Sequence, residues 1–233
     1  MVTNRCLDLQ KSARKSREVY VGPWLPEPIR TPEADTLEAA AIRRDQLSYA
    51  MLVLLERLTP TERAVFVLRE ALGFDYPEIS ELLGKQEANC RKLMSRARSK
   101  KGISEEEPVA AEAVELEWVN RFLTSLEQGN VDYVLSLLTE DVMLVSDGGG
   151  KVIAATHPIQ TRDHVARILA AAYEGIKPYY QGNLHFEVAP LNGETSIVAR
   201  SGAETVGAIF IQLRHGKLAR IYVVRNPDKL TRV

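Results

Sequence analysis

The sequence predicts a mixed architecture, an all-α helix-turn-helix unit followed by an α+β unit, on three observations. Between Phe74 and Lys101 two short helical patterns flank Gly84, and the second carries a basic outer face. A run of glycine, serine, glutamates and proline from Lys101 to Pro108 then separates two compositions. Beyond it, helical periodicity gives way to strand-like segments punctuated by Asn192-Gly193, Ser201-Gly202 and His215-Gly216.

Residues Val2 to Val19 read as a basic helix with a thin apolar stripe of Cys6, Leu9 and Ala13. Tyr20 to Pro28 follows, with three prolines and a glycine, which exclude helix and central strand and predict an extended segment. Trp24 and Tyr20 in such a segment need a surface to lie on, and a plain linker covering a neighbouring core fits the same pattern. Asp35 to Arg57 has Leu37, Ala40, Ala41, Leu47, Ala50, Met51, Leu54 and Leu55 at helical spacing. Thr59-Pro60-Thr61-Glu62 is a capping box opening a helix to about Ala71 that buries Val65, Phe66 and Leu68.

The helix-turn-helix comes next. Its first helix starts near Pro77 and turns Ile79, Leu82 and Leu83 inward. Gly84 stops it, and Lys85 and Gln86 form the turn. Cys90, Leu93, Met94 and Ala97 repeat at i, i+3, i+4, i+7 and pack on the first helix. Asn89, Lys92, Arg96 and Lys100, with Arg91 and Arg98 beside them, remain outside. Together with Gln86 they are the candidate DNA-contacting residues, because the second helix of such a pair enters the major groove. A solvated basic helix in an ordinary bundle carries the same pattern.

In the last part, Ala110 to Gln128 is helical, with Val114, Trp118, Phe122 and Leu126 at four-residue steps. Val131 to Leu138 is a short helix, Val142 to Ser146 a strand, Asp147 to Lys151 a turn, and Val152 to Ala155 a return strand. Thr161 to about Glu174 is a third helix with Val165, Ile168, Leu169 and Ala172 inward. Strands are expected over 184–190, 195–200, 204–214 and Leu218 to Val224.

The bulk numbers narrow the function. The 233 residues suffice for one large or two modest domains, and the net charge of −1 gives no global polyanion signal. Local charge is segregated: the basic start and the basic helix contrast with Glu105-Glu106-Glu107, as in a protein that touches nucleic acid with one part. Two cysteines, Cys6 and Cys90, are too few for a disulfide framework and fit a reducing compartment. No apolar run reaches the ~20 residues of a membrane span, and no signal peptide is evident, so a cytoplasmic protein is expected. Asp147, His157, Asp163, His164, Tyr180, His185 and Arg200 are polar candidates for a pocket, but their spacing defines no catalytic set and no zinc site. The expectation is a non-enzyme without metal or cofactor. Gly148 to Gly150 lacks the Gly-Lys-Ser/Thr of a phosphate loop and reads as a hairpin turn.

The wording of Leu58 to Arg98 resembles region four of bacterial sigma factors of the extracytoplasmic-function class. Leu58-Thr59-Pro60 with Glu62-Arg63, Val67-Leu68-Arg69-Glu70, Tyr76 with Glu78-Ile79, and Asn89-Cys90-Arg91 followed by Arg96-Ala97-Arg98 carry it. The resemblance implies binding to an upstream promoter element and to the RNA polymerase flap. Asn4-Arg5-Cys6-Leu7-Asp8 resembles the last helix of sigma region two, most of which has no counterpart here. This implies that the chain does not start transcription by itself and competes with a complete sigma factor.

Trp24-Leu25-Pro26-Glu27-Pro28 resembles the linker of the sigma subgroup that carries a C-terminal SnoaL-like extension. Asp147-Gly148-Gly149-Gly150-Lys151 and Asn226-Pro227-Asp228-Lys229-Leu230 match that extension, which resembles the cone of the nuclear transport factor two superfamily. The implied organisation is a region-two remnant (1–19), a proline-rich linker (20–34), a region-four-like domain (35–102) and a SnoaL-like domain (108–230). The three motifs are implied interdomain or regulatory contacts, with Trp24 largely buried near the Asp147 turn or the Asn226 tail, and Asp147 and Lys151 offering opposite charges to that contact. The implied function is a sigma-factor-like transcription regulator controlled in cis by its SnoaL-like domain. The alternatives are a ligand-binding or catalytic cone with the helix-turn-helix as output, and a DNA-binding fragment of a truncated gene.

Overall fold

The computed structural model describes residues 20–31, 48–99, 112, 114–180 and 182–233. The basic helix expected over Val2 to Val19, most of the helix expected from Asp35, Lys100 and the 101–108 boundary lie outside these residues. The chain forms two compact units: 50–99 belong to one, and 20–31, 48–49 and 112–233 to the other.

The first unit is all-α. Helix α1 is Tyr49–Glu56, its opening residue counted with the other unit. Thr59 caps α2, Pro60–Phe66, through the expected capping box, and the helix widens into a π segment, Val67–Ala71. Helix α3, Tyr76–Leu83, starts one residue before Pro77, capped by Asp75, whose carboxylate accepts from the Glu78 amide while Glu78 caps back onto Asp75. Gly84 ends it at φ 60°, in the left-handed region where a Cβ is costly. Helix α4, Glu87–Ser99, buries Cys90, Leu93, Met94 and Ala97 as its periodicity requires, against a core that includes Val65, Phe66 and Ile79. Two apolar positions depart from expectation: Leu82 is exposed, because α3 turns only Ile79 fully inward, and Leu68 is half-buried.

The second unit is α+β. Helices α5, Leu116–Glu127, and α6, Val131–Leu137, precede strand β1, Leu138–Asp147. A loop leads to β2, Ile159–Gln160, and then to α7, Arg162–Tyr179. Strands β3 (Leu184–Leu191), β4 (Glu194–Ser201), β5 (Glu204–Arg214) and β6 (Lys217–Val224) form the expected meander. The sheet order is β2-β1-β6-β5-β4-β3; β1 runs parallel to β6 and the other pairs are antiparallel. Trp118, Val119, Phe122 and Leu126 of α5 and Val165 of α7 pack with Val142, Leu144, Ile197, Ile211 and Ile221 of the sheet to form one core.

Val152 to Ala155 is not a strand. The chain folds back at Gly148, whose carbonyl accepts from the amides of Lys151 and Val152. The Ser146 hydroxyl, not a backbone ladder, then holds Ala155, accepting from its amide at 2.8 Å. Helix α7 runs past Glu174 to Tyr179, and its Ile168 and Ala172 are exposed rather than buried, since both line an open cavity.

Candidate functional site

The three motifs expected to carry regulation converge within the second unit. The parallel register of β1 and β6 sets Asp147, the last residue of β1, beside Val224 at the end of β6. The Asp147 carbonyl accepts from the amides of Arg225 and Asn226 at 2.8 and 3.0 Å, which fixes the C-terminal tail to the start of the glycine turn. Asn226 then caps a 3-10 turn, Pro227–Lys229, and this turn aims Lys229 back at Asp147.

The Asp147 side chain is fully buried, and its carboxylate has two donors on each oxygen. Oδ1 accepts from the Tyr20 hydroxyl and, at 3.0 Å, from the Gly149 amide. Oδ2 accepts from the Leu25 amide at 2.9 Å and the Lys229 ammonium at 2.7 Å. Four donors match the acceptor capacity of a carboxylate, so a buried anion is tolerated here. Lys229, itself buried, also donates to the Leu25 carbonyl at 2.6 Å and lies 3.4 Å from the centre of the Trp24 ring. One ammonium therefore combines an ion pair, a hydrogen bond and a cation–π contact.

Tyr20 and Asn226 close the cluster. The Tyr20 hydroxyl donates to Asp147 and accepts from Asn226 Nδ2 at 2.7 Å. Burial, then the Asp147 carboxylate, hold the Tyr20 phenol well above its ordinary range, so it keeps its proton. The Tyr20 and Trp24 rings meet edge to face, with centroids 4.7 Å apart. Gly149, at φ 59°, admits the cluster: a Cβ there would lie 2.3 Å from Asn226 Nδ2. Gly148 is similarly confined, a Cβ falling 2.4 Å from the Val152 carbonyl oxygen.

From this latch the linker runs along the second unit. Leu25 and Pro28 are buried and Pro26 is half-buried, whereas Glu27 is exposed. The Pro26 carbonyl accepts from the Tyr49 hydroxyl, and the Tyr49 ring stacks on Phe210 of β5 with centroids 3.5 Å apart. Ile29 and Thr31 bond to the β3–β4 hairpin at Asn192, Gly193 and Pro190.

The Trp24 ring, covered on one face by the Lys229 ammonium, keeps only a minor part of its surface exposed, and Leu25 beside it is fully buried. One expectation needs correction. Asp147 and Lys151 do not form an exposed pair: Asp147 is buried with Lys229, and Lys151 pairs at the surface with Asp228. Tyr20, which the sequence marked only as an aromatic seeking a surface, is central to the cluster.

In the first unit, Gln86, Asn89, Arg91, Lys92, Arg96 and Arg98 are all exposed on or beside α4. The helix divides them. Arg91 binds Glu87 and lies over the Tyr76 ring at 4.3 Å, and Arg98 pairs with Glu70 at 2.8 Å. Asn89, Lys92 and Arg96, at three- and four-residue steps, form the opposite flank.

The pocket candidates do not assemble. Tyr180 lines the cavity of the second unit, but Asp147 is held in the latch, and Arg200 is paired with Glu187 and hydrogen-bonded to Thr205. His157, Asp163, His164 and His185 are exposed. Among the described residues no cluster of metal-ligating side chains occurs, and no helix is long and apolar enough to cross a membrane.

With this geometry established, comparison with known proteins is specific. Residues 48–100 match the family model described as sigma-70, region 4. The chain is similar to the ECF RNA polymerase sigma factor SigJ of Mycobacterium tuberculosis (strain H37Rv), 32% identical over 244 residues, covering 99% of this chain and 76% of the relative. It is 30% identical to the probable ECF RNA polymerase sigma factor SigI of the same species (strain CDC 1551), again over 99% of this chain and 76% of that protein. The crystal structure of M. tuberculosis SigJ superimposes with a TM-score of 0.70 at 30% identity, covering 93% of this chain and 77% of that one.

Proposed function

Because the chain belongs to the extracytoplasmic-function RNA polymerase sigma factors and is a sigma-factor-like transcription regulator, we propose that its helix-turn-helix binds a promoter element and the polymerase flap under control in cis by the SnoaL-like unit. The observation that carries the control is the Asp147 latch. Asp147 bonds the Tyr20 hydroxyl, the Leu25 amide, the Gly149 amide and the Lys229 ammonium, so linker, turn and tail share one carboxylate. A linker tied down at a buried charge is either held or released; it does not slide, because a half-broken buried pair costs about 3–5 kcal/mol.

On the DNA side, Asn89 and Arg91 lie near the start of α4, the part of a recognition helix that meets base edges, while Lys92 and Arg96 follow as phosphate contacts. The Arg91–Glu87 pair is exposed and exchanges readily for a contact to DNA. Core polymerase and promoter DNA are the partners this reading requires. Regulation rather than catalysis is the role proposed for the second unit, since its acid–base candidates do not converge.

The test is binding of the full chain to promoter fragments carrying an upstream element, with and without core polymerase. Sequence-selective binding that Asn89→Ala relaxes supports the reading. Binding to no DNA at any salt concentration contradicts it.

A further inference from the structure

The sheet of the second unit is a wall with different business on its two faces. Successive residues of a strand point to opposite sides. On β6, Ile221, Val223 and, just beyond, Arg225 face a partly enclosed cavity of about 290 Å³, whereas Tyr222 faces Tyr49. On β1, Leu144 and Ser146 face the cavity and Asp147 faces the linker. The cavity lies under α7, and its lining is almost wholly apolar, including Ile168, Leu169 and Ala172 of that helix. Its volume is near the lower end of the range for small-molecule sites.

One charged residue lines this apolar space. It is Arg225, whose guanidinium donates through Nη1 to the carbonyl of Ile153 at the rim, at 2.7 Å. Its other donors meet no protein acceptor among the described residues. Ile153 stands at the rim with 89% of its surface exposed, an apolar side chain beside an apolar hole.

We propose that this cavity binds a compact, mostly apolar small molecule bearing one anionic group, held by Arg225 and covered by Ile153, and that its occupancy is transmitted to the Asp147 latch. Three covalent neighbours carry the transmission. Ser146 precedes Asp147, Arg225 precedes Asn226, and the rim residues Ile153 to Ala155 follow the Gly148 to Lys151 turn after Val152 alone. A ligand that draws Arg225 or Ile153 inward shifts the backbone holding the carboxylate and its partner amide. Coupling of this kind is reciprocal, so changing the latch changes ligand affinity. The inference rests on the latch reading for its second half only.

The probe is anilinonaphthalene sulfonate, whose rings and single sulfonate match the proposed chemistry, titrated by fluorescence into the full chain. Saturable one-to-one binding is expected. Ala172→Trp, which fills the cavity from an exposed helical position, should weaken it roughly tenfold or more, as should Arg225→Ala through loss of a charge-assisted bond. Leu169→Trp serves as a second filler if circular dichroism shows that the first variant is unfolded. Absence of saturable binding, or binding unchanged by both fillers, overturns the site. Asp147→Ala should alter probe affinity severalfold; equal affinity in a folded variant overturns the transmission. Limited proteolysis of the linker in that variant reports separately whether the latch has opened, so failure of the latch and failure of the site are distinguishable.

Discussion

The Lys229 ammonium lies 2.7 Å from Asp147 in an ion pair in which neither side chain is more than 4% exposed. The pair joins β1 to a tail that follows β6, and the linker amide of Leu25 shares its carboxylate. Its two halves are not equivalent. Asp147→Ala takes from buried Lys229 its anionic partner, leaving neutral contacts such as the Leu25 carbonyl and the Trp24 and Tyr20 rings, and should cost about 3–5 kcal/mol. Lys229→Met leaves Asp147 its Tyr20, Leu25 and Gly149 donors, and should cost less, roughly 2–3 kcal/mol. Urea unfolding of the two variants gives the order directly. Equal, small losses would mean that the pair is not the latch.

Gly149→Ala should release the linker without removing any charge. The new methyl would collide with Asn226 Nδ2 in a backbone conformation that L side chains rarely adopt. In a Trp118→Phe background, leaving Trp24 as the reporter tryptophan, its emission should shift to the red. An unshifted spectrum with wild-type stability contradicts the packing described.

The helix-turn-helix face should divide by role. Lys92→Ala and Arg96→Ala should weaken binding to all DNA sequences and each reduce the slope of log K against log salt by about 1. Asn89→Ala should change sequence preference and leave that slope intact. Arg98→Ala should chiefly lose its Glu70 partner, an effect of about 0–1 kcal/mol on stability. Fluorescence anisotropy over a salt series measures the binding effects, and urea unfolding measures that of Arg98→Ala.

Glu194 supplies a pH dependence. It opens β4, and desolvation raises its carboxyl to about 7 despite a hydrogen bond from the Tyr49 backbone. The folded state therefore holds this proton over a range in which the unfolded chain has lost it. Stability from this group is present at low pH, falls as pH rises from about 4.5 to about 7, and stays lost above that. Glu194→Gln should remove this component. The difference in urea midpoint between variant and wild type should grow in the variant's favour from about pH 5 to about pH 8. A difference independent of pH would show that Glu194 is solvated.

Much of this was legible in the sequence because its causes are local. The Thr59 and Asp75 caps, Gly84 and the Cys90-Leu93-Met94-Ala97 stripe act within a few residues, as does Asn192-Gly193. The three motifs were legible by resemblance, but their wiring was not. Lys229 meets Asp147 across 82 positions because β1 pairs parallel to β6, a fact of sheet order that no local pattern encodes. Local charge proximity favoured Lys151 instead, and tertiary geometry gave that lysine to Asp228. Ile168 and Ala172 misled for a related reason: the apolar face of α7 lines a cavity as well as a core.

Control in cis by the latch is the central claim, and one measurement addresses it most directly. The affinity of the full chain for core polymerase on a promoter fragment is compared between wild type and Asp147→Ala, with amide exchange at Leu25 followed in both. The account predicts rapid Leu25 exchange in the variant and an affinity changed at least about fivefold, about 1 kcal/mol at ~0.6 kcal/mol per RT. Rapid Leu25 exchange with unchanged affinity would contradict it, since the linker would then be free and the regulator indifferent.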